Sequence, residues 1–212
     1  MNNIKRSFSL FIMALCSCTL SLLAQHTDIR KAMERYKGVN TLTGDVIRTK
    51  QNVTIKEYTI AHGHLYFKTP DKACMIFNEN KDMLLMDGNT FTMVDGGQKS
   101  IAKGRTLNQF EALRAVFKQI ISGKEDNLDI HELAVVDVAR QGNIYTLTIT
   151  PAAPEGGKAK RRMMFTSFVL TIDTKSSEFK SLRMNGQAGN YTQYDFSGFV
   201  LNAAVSDNIF KL

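Results

Sequence analysis

The chain has 212 residues, with 27 Lys and Arg against 20 Asp and Glu and a formal net charge of +7. These charges are scattered except at Lys158, Lys160, Arg161 and Arg162, so the moderate basic excess is no nucleic-acid signature. Three cysteines, three prolines and no tryptophan provide neither a disulfide framework, nor a proline-rich disordered tail, nor a platform for stacking sugars.

Lys5 and Arg6 precede an apolar run from Phe8 to Leu23, which ends at Ala24 before polar Gln25, His26, Thr27 and Asp28. This is the arrangement of a secretory signal peptide, residues 1–24, with cleavage expected after Ala24. Leu15-Cys16-Ser17-Cys18 offers an alternative, a loose match to the site at which lipoproteins are cut before a lipidated cysteine, here Cys18. Apolar residues continuing past Cys18 favour Ala24. A retained anchor is disfavoured because the uninterrupted apolar stretch falls short of the ~20 residues needed to span a bilayer. Cleavage removes two basic residues and no acidic one, lowering the net charge from +7 to +5. It also leaves Cys74 alone, a small buried apolar group by expectation. The 188 residues that remain (212 less 24) suit one domain over 25–212.

In chain order, Ile29, Met33 and Tyr36 recur at helical spacing, with Thr27 or Asp28 to cap and Gly38 to terminate. From Leu42 the pattern turns to short β-branched and aromatic runs. Strands are expected over Thr41–Val53, Ile55–Lys68, Ala73–Phe77, Asp82–Asp87, Thr90–Val94 and Lys99–Lys103. Asp87-Gly88-Asn89, Asp95-Gly96-Gly97 and Pro70-Asp71 mark turns. A second helix opens on a capping box of Thr106 and Gln109. Leu107, Phe110, Leu113, Arg114, Phe117, Ile120 and Ile121 fall mostly on one stripe of it, and Gly123 closes it. Strands resume over Leu133–Arg140, Asn143–Thr150, Met163–Asp173, Phe179–Asn185 and Tyr191–Ser197, before a last segment Phe199–Leu212. About eleven strands exceed the usual ~4 to 6 of one sheet, and so large a sheet curls. The expected fold is α+β, mainly β: a curved antiparallel sheet forming an open half-barrel with a helical lid.

The order of these segments resembles the LolA family of outer-membrane lipoprotein carriers. The likeness runs through Thr41-Leu42-Thr43-Gly44-Asp45-Val46 with Lys50-Gln51, then Gly63-His64-Leu65-Tyr66-Phe67-Lys68-Thr69-Pro70. It continues through Leu84-Leu85-Met86-Asp87-Gly88-Asn89-Thr90-Phe91, the central helix, and Tyr145-Thr146-Leu147-Thr148-Ile149-Thr150-Pro151. Each motif alone is weak; their order carries the resemblance, which spans essentially the whole chain after the leader. It implies a lidded open barrel with a hydrophobic cavity for the acyl chains of lipoproteins. It also implies a periplasmic relay from an inner-membrane ABC transporter to an outer-membrane acceptor. Family members often place an arginine just before the proline, thought to latch the lid, but this chain has Thr69 there. Lys68 alternates to the other face, so Arg114 on the lid helix is the candidate substitute.

A carrier must hide tails whose exposure, at ~0.8 kcal/mol per CH₂, amounts to tens of kcal/mol for three chains. Methionine suits such a lining because its thioether adapts to varied packing. Met75, Met83, Met86, Met93, Met163, Met164 and Met184 fall on expected strands, although an ordinary core would hold them as well. Period-two alternation assigns Leu65, Phe67, Met75, Phe77, Phe91, Met93, Leu147, Ile149, Phe168, Leu170, Tyr194 and Phe196 to the concave face. Phe110, Leu113 and Phe117 close it from the helix. A register slip of one residue would reverse any strand's assignment.

An enzyme is the first competing class, but no Gly-x-Ser-x-Gly elbow, His-Glu-x-x-His helix or glycine-rich phosphate loop is present. His62 and His64 could share a strand face, yet a zinc site would need a third ligand, and no metal or cofactor is expected. The second competitor is a lipid- or lipoprotein-sensing regulatory module on the same half-barrel. The basic cluster from Lys158 to Arg162 reads as a solvated hairpin loop, or as a contact for anionic headgroups or an acidic partner. The chain is expected to be monomeric.

Overall fold

A computed structural model describes residues 28–78, 81–122, 130–152 and 163–211. Strand-forming segments alternate apolar and polar residues, and most of the hairpins between them are short, so within β1–β6 and within β7–β11 each segment pairs with its chain neighbour. The strands are β1 (Thr41–Asn52), β2 (Glu57–Lys68), β3 (Lys72–Phe77), β4 (Asp82–Asp87), β5 (Thr90–Asp95) and β6 (Gln98–Ile101). They continue as β7 (Ala134–Gln141), β8 (Ile144–Pro151), β9 (Ser167–Asp173), β10 (Glu178–Asn185) and β11 (Tyr191–Leu201). All lie in one antiparallel sheet of order β6-β5-β4-β3-β2-β1-β11-β10-β9-β8-β7. Two meanders thus meet where the first strand pairs with the last, and β6 and β7 are left as the open edges.

Helix α1 covers residues 28–33 and runs into a 3-10 turn at Glu34–Tyr36, with Gly38 at φ +77 stopping it. Helix α2 (Arg105–Ser122) follows one edge strand and α3 (Ile130–Leu133) precedes the other, and α2 packs on β5 and β8 from opposite halves of the sheet. The structure is therefore mainly β, an unclosed half-barrel with a helical lid. No helix among the described residues is long and apolar enough to cross a membrane.

Several boundaries differ from the sequence reading. Residues 53–56 form the β1–β2 turn, with Lys56 at φ +55, so β2 starts at Glu57 and not at Ile55. Strand β9 starts at Ser167, not Met163. Strand β11 runs on to Leu201 through a bulge: Thr43 faces Val200 but Asp45 faces Ser197, and the extra residue is accommodated by Gly198 at φ +63. The proposed capping box does not form. The helix begins at Arg105, which places Thr106 inside it, and Gln109 is buried instead, donating through Nε2 to the Phe165 carbonyl and accepting from Phe165 N at 3.4 Å. Asp28 likewise spends its carboxylate on Tyr145 Oη at 2.8 Å and Arg140 Nη1 at 3.1 Å. The helix end expected at Gly123 and the basic cluster from Lys158 to Arg162 lie outside the described residues.

The inner face of the sheet is apolar for most of its length. Tyr145, Ile149, Phe168, Leu170 and Ile172 are fully buried on the β8–β9 side, and Val46 and Phe77 on the other. Cys74, Leu85 and Phe210 form a separate small cluster on the convex side, where the last 3-10 turn, Asp207–Phe210, covers β3 and β4. Burial pushes the Cys74 thiol up to about 12, so it behaves as an apolar group. Below the apolar belt, Arg48 meets Asp82 at 2.5 Å and lies 4.6 Å over the Phe77 ring. Burial alone would raise the Asp82 carboxyl, but the Arg48 hydrogen bond and charge, Gly96 N and Asn78 together hold it below its ordinary value.

Two outcomes test this frame. A Cβ on Gly63 would stand 2.1 Å from Ile76 O and 2.5 Å from Phe77 Cδ1, so Gly63→Ala is expected to lower the unfolding free energy by about 3 kcal/mol in urea titration, the upper end of overpacking. Asp82→Asn removes one partner of a buried pair, for an expected loss of ~3 kcal/mol at pH 7. Because the folded carboxyl titrates below the unfolded one, the wild type keeps this contribution above about pH 4 and loses it as pH falls further. The gap between the two proteins should therefore close in acid.

Candidate functional site

Strand alternation puts Leu65 and Phe67 of β2, Met75 of β3, Leu84 and Met86 of β4, and Phe91 of β5 on one concave wall. Leu42 adjoins them from β1. Phe179, Leu182 and Met184 of β10, with Phe196 and Phe199 of β11, form the facing wall. Helix α2 roofs the space with Phe110, Leu113 and Phe117. The enclosed cavity measures about 620 Å³, within the range of roughly 300–1,000 Å³ typical of ligand pockets. Apart from the buried Tyr36 hydroxyl, its polar lining comes from Lys37, Asn40, Thr69, Asp71, Arg114 and Lys118.

The roof is pinned at one end and merely propped at the other. Phe110 stacks on Phe91 with centroids 4.5 Å apart, and meets Phe165 edge-on at 5.4 Å and Phe168 at 6.1 Å. Two turns further on, Phe117 reaches Phe179 at 5.2 Å, and Tyr36 packs on the same ring at 5.5 Å. Burial pushes the Tyr36 hydroxyl up to about 12, so it stays neutral. Between these supports Arg114 ties the helix to the β4–β5 turn, donating from Nη1 to Asn89 Oδ1 at 2.7 Å, with Glu111 3.8 Å from Nη2. Thr69 does not reach the helix: its Oγ1 donates to Asn40 O at 3.3 Å, closing the β2–β3 turn onto the start of β1.

Of the fifteen side chains assigned to the cavity from sequence, Leu65, Phe67, Met75, Phe91, Phe110, Leu113, Phe117 and Phe196 border it. Phe77, Leu147, Ile149, Phe168, Leu170 and Tyr194 share the concave side but are packed into solid core, and Met93 lies half-buried against it. The division follows from where α2 sits. Its first turns lie directly on β8 and on the Phe165–Phe168 segment, filling that half, and Phe77 and Tyr194, 6.1 Å apart, form the floor. Sequence reasoning missed Leu84 and named Met86 only among the candidate lining methionines, although the two-residue turn at Gly88-Asn89 pairs Met86 with Phe91 and Leu84 with Met93. That hairpin register carried the signal. Phe199 had no such signal, because it enters through the Gly198 bulge.

A second concavity, about 800 Å³ and more open, lies beyond the floor at the opposite end. Arg48, Lys50, Asp82 and Asp95 line it, with Lys50 Nζ 2.6 Å from Asp95 Oδ1. His64 pairs with Asp45 at 3.2 Å on the convex face. Among the described residues no three His, Cys, Asp or Glu side chains gather as metal ligands.

A curled antiparallel sheet roofed by one amphipathic helix, with a largely apolar chamber between them, defines a lidded half-barrel class built around an interior space. The family model for the outer membrane lipoprotein carrier protein LolA matches residues 37–212, and the chain belongs to that family. Solved structures similar to it include a DUF1329 family protein from Desulfovibrio piger, 12% identical over 89% of this chain and 96% of that one, TM-score 0.45. A putative outer membrane lipoprotein-sorting protein domain from Vibrio parahaemolyticus is 10% identical over 88% and 95%, TM-score 0.44. A LolA superfamily protein from Nitrosomonas europaea is 10% identical over 88% and 96%, TM-score 0.41. No curated protein matches the sequence significantly.

The latch geometry has a direct test. Arg114→Ala is expected to lower the unfolding free energy by only about 1 kcal/mol, the worth of a half-exposed hydrogen bond. Amide exchange in the second half of α2 should nevertheless rise several-fold, measured by hydrogen-exchange mass spectrometry.

Proposed function

We propose that this chain is a periplasmic carrier that shelters the acyl chains of lipoproteins in the cavity beneath α2 and ferries them from the inner to the outer membrane. The observation that carries this reading is the apolar chamber itself, with three aromatic or aliphatic roof residues on a helix that also contacts both walls. Each methylene moved from water into such a space gains ~0.8 kcal/mol, so even one long chain binds there with no chemistry beyond exclusion of water. Membership of a family described as lipoprotein carriers supports the cargo. The family also supports an inner-membrane ABC transporter and an outer-membrane acceptor as partners, and a binding role in place of catalysis.

In this reading residues 1–24 are removed on export and residues 25–212 form the single working domain. N-terminal sequencing of the exported protein should begin at Gln25; an acylated Cys18 would show instead that the protein is itself membrane-anchored.

Incubated with inner-membrane vesicles and the ATP-driven transporter, the protein should release lipoproteins into the soluble fraction as a complex, with the acylated cysteine identified by mass spectrometry. Phe117→Asp, which sets a charge into the roof, should abolish release. Leu84→Trp, which fills the chamber with a larger apolar group, should cut release at least tenfold while leaving the melting temperature unchanged or higher. A wild-type protein that releases none, with no lipid-modified partner in pull-downs, would overturn the assignment.

A further inference from the structure

Strand β2 has twelve residues and β3 only six. The β2–β3 ladder runs from the Gly63–Phe77 pair to the Lys68–Lys72 pair. Residues 57–62 of β2 therefore pair with β1 on one side and, among the described residues, with nothing on the other. In an antiparallel ladder alternate residues turn both N–H and C=O away from the existing partner. Half of this six-residue stretch thus presents open hydrogen-bonding groups in extended conformation.

Proteins ordinarily protect such edges with short length, lysines, prolines or bulges. The terminal edge β6 obeys this rule: it has four residues and carries Lys99. The free part of β2 does not. It reads Glu57-Tyr58-Thr59-Ile60-Ala61-His62, with Tyr58 59% and Ile60 56% exposed and no bulge against β1.

The open edge borders the second concavity, whose lining includes Glu57, Thr59, Ile60 and Ala61. Its far lip is the β3–β4 and β5–β6 turns, tied together by Gly97 N donating to Lys81 O at 3.0 Å and Gly96 N to Asp82 Oδ1 at 2.7 Å. Among the described residues nothing pairs where an extension of β3 would run, and that position is walled on two sides. A single extended segment fits there.

We propose that residues 57–62 form a docking edge that accepts an extended segment of another polypeptide as an added strand. Backbone hydrogen bonds would carry the affinity. Alternation then sets the guest's pattern. Residues on its outer face lie beside Tyr58 and Ile60 and are apolar or β-branched; residues on its inner face lie beside Thr59 and Ala61, toward Lys50, Asp82 and Asp95, and are polar. The edge is at the opposite end of the molecule from the cavity mouth, so a guest strand and a cavity ligand can be bound together. The proposal stands whatever fills the cavity.

The probe is an eight-residue peptide alternating threonine and valine with a lysine at each end, added to the full protein without its leader. Hydrogen-exchange mass spectrometry should show exchange across 57–62 slowing at least tenfold at saturating peptide. Ile60→Lys, a surface change on the edge, should weaken binding at least fivefold. Ile55→Lys in the adjoining turn should leave it unchanged. The same peptide N-methylated on alternate residues should not bind. Three outcomes would overturn the proposal: no protection of 57–62 at millimolar peptide, equal binding of the N-methylated peptide, or protection that maps to β6 or β7. Protection that appears with protein concentration alone, without peptide, would also overturn it, since the occupant would then be a second copy of the chain.

Discussion

Phe110 is the point at which the two halves of this molecule are joined inside. Its ring stacks on Phe91 from the first meander and touches Phe165 and Phe168 from the second, and buried aromatic pairs of this kind are worth about 1 kcal/mol each beyond their area. The sheet edges β6 and β7 do not pair, so nothing in the backbone ladder holds the curl at its radius. The helix does so from within. Where Phe110 and the buried Gln109 seat the first turns of α2 on the β8–β9 side, the interior is solid. Where the helix rises past Leu113 toward Phe117, the walls stand apart and the chamber opens. One contact therefore both closes the core and sets the boundary of the cavity.

This explains what could and could not be read from residue order. Alternation is a property of each strand, and it correctly separates Leu65, Phe67, Met75, Phe91 and Phe196 from their outward neighbours. It equally selects Leu147, Ile149, Phe168 and Leu170, because core and cavity share one face and differ only in whether a helix lies on them. The seat of α2 is a tertiary fact. It rests on Gln109, which local pattern assigned to a cap, satisfying the buried backbone of Phe165 far along the chain. Likewise the bulge at Gly198 is invisible to a period-two count, and it delivers Phe199 to the chamber. The turns were legible because their chemistry is local: Asp87-Gly88-Asn89 closes a two-residue hairpin with Gly88 at φ +59.

The two ends of the half-barrel are chemically unlike. One holds an apolar chamber with a thin polar lip. The other is floored by Phe77 and Tyr194 and then filled by charged groups in pairs, Arg48 with Asp82 and Lys50 with Asp95. Neither pair adds much net stability over apolar packing. They do set a charged lower end against an apolar upper end, with the Phe77 and Tyr194 floor between the two. Arg48 lies across the Phe77 ring at 4.6 Å, which puts the change from grease to charge within the thickness of one side chain.

The central seam of the sheet, β1 against β11, joins residues near opposite termini: Leu42 faces Leu201 and Gln51 faces Tyr191. Each meander can assemble from neighbouring hairpins as the chain emerges, but the seam must wait for the last strand to be made. Closing so long a loop is slow, and until it closes both apolar half-faces stand open to water and to other chains. A protein whose finished form hides grease thus spends its own maturation as something that needs hiding.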